Sequence, residues 1–239
     1  MLIKEYNKES GTQFGIECEK LLYKSVSKYQ KIKVYSSRKY GNILTLDDCF
    51  MLTEKNNDQY HNKCISLIDK NLKDINLLII GGGDYGLIRG LFKEQNIKSI
   101  RIVEIDNLVV DVCKKFFPSF YKLKKELKNK VDVTIEDGYD WIKNNTSLKY
   151  DVVIVDCTDP NLIAEKLYST KFYINLCKIL KDSGTLIQQS GSPYLDGEKL
   201  IKPTIRKLEK YGFKEISLHE FNMPIYPLGL WSFIKCKKA

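Results

Sequence analysis

Between residues 30 and 53 apolar and polar side chains alternate around turn signals, the period-two pattern of strands with one buried face. Ile32, Val34 and Tyr35 precede a Ser-Ser-Arg-Lys stretch, Gly41-Asn42 marks a turn, and Ile43, Leu44 and Leu46 lead to Asp47-Asp48. The stretch predicts a small antiparallel β unit. After Asp58 the period changes: Tyr60, Cys64, Ile65, Leu67 and Ile68 recur at mixed spacings of three and four, which predicts a helix joining that unit to the main domain. From Asn76 onward, short apolar runs alternate with helical stretches. Strands are predicted at Leu77–Ile80, Ser99–Glu104, Val131–Ile135, Asp151–Asp156 and Thr185–Gln189. Helices are predicted from Tyr85, Leu108 and Tyr139 and over Thr170–Leu180, with a turn at Asp182-Ser183-Gly184. Such alternation predicts a parallel sheet with helices on both faces, in which ligands bind at the carboxyl ends of the strands.

Composition removes several functional classes. At 239 residues the chain can bury a full core, and it has no internal repeat of the kind that builds a solenoid. Its 43% hydrophobic and 29% charged residues are the balance of a folded globular protein. The longest apolar runs, such as Leu77–Ile80, are of strand length, against roughly 20 residues for a membrane helix. No secretory signal is evident, so a cytoplasmic protein with no membrane partner is expected. Seven cysteines without a CxxC pair support neither a zinc site nor a disulfide framework. The net charge of +9 raises nucleic-acid binding, but the lysines are spread along the chain. The densest run, Lys122–Lys130, is interrupted by Glu126 and reads as a solvated helix face or loop. No nucleic-acid partner is expected.

Chemistry concentrates at the predicted strand ends. Leu77-Leu78-Ile79-Ile80 runs into Gly81-Gly82-Gly83-Asp84-Tyr85-Gly86, a strand entering a glycine loop that opens a helix. Glycines there let the backbone turn sharply and come within contact distance of a ligand. The next strand ends in Glu104, twenty residues after Asp84, where a carboxylate can accept from both ribose hydroxyls of an adenosine. The third ends in Asp137-Gly138, which can meet the adenine edge. Asp84 selects the type of nucleoside: a pyrophosphate would be repelled by a carboxylate at the helix N-terminus, whereas a cationic arm would be held. Asp156-Cys157-Thr158-Asp159-Pro160 closes the fourth strand with two more acids, which would make the crevice suited to amines.

With these residues in view, the chain resembles the spermidine synthase family, the polyamine aminopropyltransferases, over nearly its whole length. The resemblance is carried by GGGDYG, VEID at Val103–Asp106, EDGYDWI at Glu136–Ile142 and DVVIVDCTDP at Asp151–Pro160. Ser27-Lys28-Tyr29-Gln30, Tyr40-Gly41-Asn42 through Asp47, Leu52-Thr53-Glu54, Tyr60-His61 and Tyr226-Pro227 add to it. It implies an α/β fold with a Rossmann-like, methyltransferase-type, mostly parallel sheet and helices on both faces, plus a small N-terminal antiparallel β domain. Residues 1–58 would form the β domain and 59–239 the catalytic domain.

Carried over to this sequence, the resemblance implies that Gln30, His61, Gly81, Gly83, Asp84, Glu104, Asp137 and Gly138 bind the nucleoside sulfonium. Glu104 would hold the ribose, Asp137 the adenine, and Asp84 with Asp156 the amine of the arm. Tyr60, Asp156, Asp159 and Tyr226 would hold the acceptor, and Asp156 would be the catalytic residue that assists its deprotonation. The implied reaction moves the aminopropyl group of decarboxylated S-adenosylmethionine to putrescine, giving spermidine and methylthioadenosine. It needs no prosthetic group and no metal, and the family forms homodimers or homotetramers. Other acceptors (cadaverine, agmatine, spermidine), a diamine N-methyltransferase using S-adenosylmethionine, and an inactive polyamine-binding relative are the alternatives. The chain departs from the family pattern at Tyr85, at Met51, at Asn161-Leu162-Ile163-Ala164 in the gate loop, and at Gln189-Ser190-Gly191-Ser192-Pro193, where an acid is missing. These departures bear on the acceptor end more than on the nucleoside.

Overall fold

The computed structural model describes residues 1–8, 10–55, 58–91, 97–160 and 163–239. The chain opens with an antiparallel pair, β1 (Leu2–Asn7) and β2 (Thr12–Glu17), joined through Gly11. A four-stranded antiparallel sheet follows in chain order: β3 (Lys20–Val26), β4 (Lys31–Ser37), β5 (Gly41–Leu46) and β6 (Cys49–Thr53). The reversal between β4 and β5 falls at residues 38–40, so Gly41-Asn42 begins the next strand instead of making the turn. Asn42 is held there from both sides, its amide N–H by Glu54 and its side chain by the Phe116 carbonyl. Asp47 and Asp48 form the two-residue turn between β5 and β6, both at positive φ (49° and 69°), the conformation a tight hairpin of this hand requires.

The main sheet is built from β7 (Ile75–Gly81), β8 (Ile97–Glu104), β9 (Val131–Ile135), β10 (Tyr150–Asp156), β11 (Leu180–Gln189), β12 (Phe213–Asn222) and β13 (Leu230–Lys238). Their spatial order is β12-β13-β11-β10-β7-β8-β9. β9, β8, β7, β10 and β11 run parallel, while β13 is antiparallel to both β11 and β12. The helices are α1 (Asp58–Ser66), α2 (Gly86–Leu91), α3 (Asn107–Phe116), α4 (Lys125–Lys128), α5 (Gly138–Asn144), α6 (Thr170–Ile179), α7 (Pro193–Asp196) and α8 (Lys202–Lys210). Among the described residues no helix is long and apolar enough to cross a membrane.

β7 shows why the sheet is covered twice. Successive side chains of a strand point to opposite faces. Leu77 and Ile79 pack with Cys64 and Ile65 of α1 and Leu87 and Ile88 of α2. Leu78 and Ile80 pack with Trp141 and Ile142 of α5 and Phe172 of α6 on the other side. The predicted turn at Asp182-Ser183-Gly184 appears as a bulge inside β11: Tyr150 pairs with Leu180 and Val152 with Thr185, leaving the residues between them unpaired, with Ser183 at φ 60°. Lys122–Lys130 holds the single turn α4, whose Leu127 is buried while its neighbours face solvent.

The small sheet is joined to α3 by a third apolar cluster. Ile32, Val34, Leu44 and Leu52 of the small sheet pack on Val109, Val112 and Cys113 of α3 and on Phe117 and Phe120 beyond it. A polar joint lies beside it. Asp106 caps α3 by accepting the Leu108 N–H at 3.1 Å, and its other oxygen accepts from the Ser27 hydroxyl at 2.6 Å and the Gln30 amide at 3.0 Å. Phe117 is fully buried in that cluster. Phe117→Ala is expected to destabilise the protein by about 3–5 kcal/mol, read as a lower denaturant midpoint, because it opens a cavity in the apolar cluster that holds the small sheet against α3.

Candidate active site

The order of the parallel strands reverses between β7 and β10, and a cleft of about 1280 Å³, counted with its open mouth, lies at their carboxyl ends. Every site residue named from the sequence stands on its wall. Gln30 comes from the turn before β4, Tyr60 and His61 from α1, and Gly81, Gly83 and Asp84 from the loop after β7. Glu104 ends β8, Asp137 and Gly138 open α5, Asp156 ends β10 with Asp159 just beyond it, and Tyr226 sits between β12 and β13.

Two glycines make the close approaches that assemble the cleft. Gly81 pairs with Asp156 across the β7–β10 ladder at φ 84°, and a Cβ on it would lie 2.0 Å from the Asp156 carbonyl oxygen. Gly82 then donates its N–H to that same carbonyl at 3.1 Å, so the glycine loop is tied to the strand carrying Asp156. Gly86 lets α1 press against the loop, since a Cβ there would lie 1.9 Å from His61 Cε1. His61 Nε2 thereby stands 3.6 Å from Asp84 Oδ2, while Gly86 donates its N–H to Asp84 Oδ1 at 2.8 Å.

The charges divide into opposite cases. Burial would lift the Asp84 carboxyl, but the imidazole of His61 and the Gly86 N–H outweigh it and hold Asp84 below its ordinary value. Burial works against the His61 imidazolium too, yet Asp84, with Asp156 and Asp58 behind it, outweighs burial and raises the pKa of the ring. Asp156 is pushed up to about 6 by desolvation and by the charge of Asp84, against the Tyr60 hydroxyl, which donates to its Oδ1 at 2.5 Å. Asp159 is raised to about 6 by burial and by Asp196, offset by the Gln189 amide at 3.2 Å. Glu104 rises to about 7 through burial, although its oxygens accept the backbone N–H groups of Gly83 (3.2 Å) and Asp106 (2.9 Å). Asp137 caps α5 by accepting from Tyr139 at 2.8 Å, and Lys166 approaches its second oxygen at 3.6 Å.

The cleft wall thus carries six carboxylates, Glu5, Asp84, Glu104, Asp137, Asp156 and Asp159, with His61 and no lysine or arginine among its described lining residues. A chain of net charge +9 has concentrated negative charge at one place. Such a cleft draws in cations.

Comparison with known proteins fits this geometry. Residues 64–239 match the spermine/spermidine synthase domain, and residues 1–54 match the spermidine synthase tetramerisation domain. The chain belongs to the spermine/spermidine synthase family. A polyamine aminopropyltransferase of Methanocaldococcus jannaschii is 37% identical over 237 residues, covering 98% of this chain and 78% of that protein. One from Clostridium botulinum is 37% identical over 226 residues, covering 92% of this chain and 77% of its own. The fold is similar to a spermidine synthase solved in complex with the transition state analogue AdoDATO (TM-score 0.89, 23% identity, all of this chain and 80% of that one). It is also similar to spermidine synthase from Thermotoga maritima (TM-score 0.85, 24% identity, all of this chain and 80% of that one). This member of the spermine/spermidine synthase family is an enzyme of the aminopropyltransferase kind, a transferase of alkyl groups other than methyl.

The family member's cleft includes residues that sequence reasoning passed over. Glu5 reaches it from β1, a strand the reading did not place; its signal was the period-two pairing of Ile3 and Glu5 on one face, with Ile3 buried. Glu5 accepts the Phe50 N–H at 2.7 Å, and burial, reinforced by Asp159, pushes its carboxyl up to about 7. Trp231 closes the same end and meets the Tyr226 ring edge-on at 4.6 Å, while the Tyr226 hydroxyl donates to the Met51 carbonyl at 3.0 Å. Gln189 binds Asp159 directly, so the stretch that lacks an acid still shapes this end. Of the gate loop, Asn161 and Leu162 lie outside the described residues, and Ile163 and Ala164 line the cleft.

These raised carboxyls bind protons more tightly in the folded chain than in the unfolded one. Their contribution to stability is therefore present at low pH and is lost as pH rises through their folded values. For Glu5 that window runs from 4.5 to about 7. Thermal or denaturant unfolding of the unliganded protein across this window should show Glu5→Gln losing less stability than the wild type, by on the order of 2 kcal/mol. Parallel declines would mean that Glu5 ionises freely in the empty cleft.

Proposed function

We propose that the enzyme transfers the aminopropyl group of decarboxylated S-adenosylmethionine to putrescine, forming spermidine and methylthioadenosine. The observation that carries this reading is the pair Asp84 and Asp156, lining one crevice from either side of the β7–β10 switch with no lysine or arginine among its described lining residues: the site is built for cations. Glu104 and Asp137 would take the ribose and adenine, with Gln30, His61, Gly81, Gly83 and Gly138 completing the nucleoside wall. Tyr60, Asp159, Tyr226 and Glu5 would hold the diamine. Residues 1–58 would act as the β domain that roofs the acceptor end, and 59–239 as the catalytic domain. The match of residues 1–54 to a tetramerisation domain supports a homodimer or homotetramer. A cytoplasmic setting agrees with seven free thiols.

In this mechanism a diamine enters protonated, drawn by the acids. Desolvation inside the cleft lowers the pKa of its attacking nitrogen, and Asp156 accepts the proton. A carboxyl lifted to about 6 is a better acceptor than an ordinary one. The freed lone pair attacks the carbon beside the sulfonium, the carbon–sulfur bond breaks, and its electron pair neutralises the sulfur, so methylthioadenosine leaves as a neutral thioether. Positioning of the two substrates supplies much of the acceleration. Tyr60 steadies the base through its hydrogen bond to Oδ1.

Asp84 decides which nucleoside is used. A charge-assisted hydrogen bond to the propylamine contributes about 1.5–3 kcal/mol. A carboxylate on the same arm would cost about 1–4 kcal/mol through repulsion. The purified enzyme should release methylthioadenosine from decarboxylated S-adenosylmethionine and putrescine, followed by chromatography. Asp156→Asn should lower kcat about 10²–10⁴-fold, and Asp84→Asn should narrow the preference for the decarboxylated nucleoside. A panel of cadaverine, agmatine and spermidine ranks the acceptors. Absence of turnover with every amine would overturn the proposal, and release of S-adenosylhomocysteine from S-adenosylmethionine would replace it with methyl transfer.

A further inference from the structure

The nucleoside loop contains one full side chain in a left-handed backbone. Tyr85 has φ 64°, beside Gly81 at 84° and Gly82 at 70°, in a region that L side chains adopt at a cost in strain. Its ring does not line the cleft. It lies on the outer side of the loop, stacked on Tyr121 with ring centroids 4.2 Å apart and planes 27° from parallel. An offset stack of this kind is a favourable aromatic pairing.

Tyr121 has a second attachment. Its hydroxyl donates to the carbonyl oxygen of Gly83, with the Val110 carbonyl at 3.3 Å as a further acceptor. The N–H of Gly83 is already bound to Glu104 Oε2 at 3.2 Å. Both polar groups of the residue before Asp84 are therefore anchored. The residue after Asp84 is anchored as well: the Tyr85 N–H donates to the Gly82 carbonyl at 3.1 Å, its carbonyl accepts from Arg89 at 3.1 Å, and its ring is held by Tyr121. One tyrosine from the segment after α3 thus grips the loop on both sides of Asp84, once through a hydrogen bond and once through a ring.

We propose that Tyr85 and Tyr121 are positioning residues that aim the Asp84 carboxylate and so set the preference for a nucleoside sulfonium with a propylamine arm over one whose arm carries a carboxylate. The inference rests on the functional reading given above for Asp84. It separates two parts of the nucleoside site: ribose and adenine, which meet Glu104 and Asp137, and the arm, which meets Asp84.

Binding of two ligands by calorimetry tests it, decarboxylated S-adenosylmethionine, which has the amine arm, and methylthioadenosine, which lacks it. Tyr121→Phe removes the hydroxyl and keeps the ring; Tyr85→Gly removes the stack and suits the positive φ, so both variants should fold. Each is expected to weaken the decarboxylated nucleoside about tenfold and leave methylthioadenosine within about twofold of wild type. Tyr85→Phe keeps the stack and should bind both ligands as the wild type does. In turnover, the defect should appear in KM for the nucleoside and in its preference over S-adenosylmethionine, with kcat at saturation nearly unchanged. Equal weakening of both ligands would show that the tyrosines support the loop as a whole, and unchanged binding of both would show that Asp84 needs no such support. Either overturns the proposal. A wild type that binds these nucleosides but turns over no amine would instead defeat the catalytic reading, and the binding comparison would still decide the role of the two tyrosines.

Discussion

The cleft depends on one contact, the backbone of Gly81 lying against the carbonyl of Asp156. A side chain at residue 81 would have its first carbon 2.0 Å from that oxygen, so β7 and β10 could not end side by side. Because they do, the glycine loop and the strand carrying Asp156 are a single rigid piece, tied again by the Gly82 N–H. Asp84 and Asp156 are thereby brought to one crevice by the backbone itself, which is the kind of preorganisation that polar catalysis needs. Gly86 does the same for His61, whose ring fills the space a Cβ would take.

That arrangement gathers acids where they are expensive. Four of the cleft carboxyls, on Glu5, Glu104, Asp156 and Asp159, are lifted to about 6 or 7 by desolvation. Asp84 is instead held below its ordinary value, because His61 stands beside it. The unliganded site is thus partly protonated near neutrality, and an incoming cation supplies the charge that the protein withholds. Function and local instability have the same source here, as is common where buried groups are reserved for a ligand.

The residues differ in how openly they announce this. The parallel strands were readable because β7, β10 and the inner part of β11 are buried on both faces and appear as continuous apolar runs. The strand-end motifs were readable because each chemical group there is local: the glycine loop, Glu104, Asp137 and Asp156 each end a strand or follow one by a few positions. The amino-terminal pair β1–β2 and the strands β12–β13 were missed for the opposite reason. Their faces are mixed, with exposed Leu2 and Tyr6 at one end of the chain and half-exposed Ile216 and Leu218 at the other, so alternation is blurred. Glu5, Trp231 and the Asp106 joint were hidden with them, since each takes its meaning from a partner far along the chain: Phe50, Tyr226, and Ser27 with Gln30. The turn expected at Gly41-Asn42 moved to residues 38–40 because Asn42 has better hydrogen-bond partners inside the strand.

The late hairpin β12–β13 has a consequence for how such an enzyme can change. The end of the cleft at Gly81, Asp84, Glu104 and Asp137 is built where neighbouring parallel strands end, so its parts are locked to one another through the sheet. The opposite end adds to Asp159 and Gln189 three separate pieces: Glu5 on the first strand, Phe50 and Met51 on β6, and Tyr226 with Trp231 around the final connection. Each of these three pieces sits on or beside an antiparallel strand, outside the parallel core. A change in one of these pieces therefore leaves the parallel strand ends in place, a modular division of labour written into strand topology.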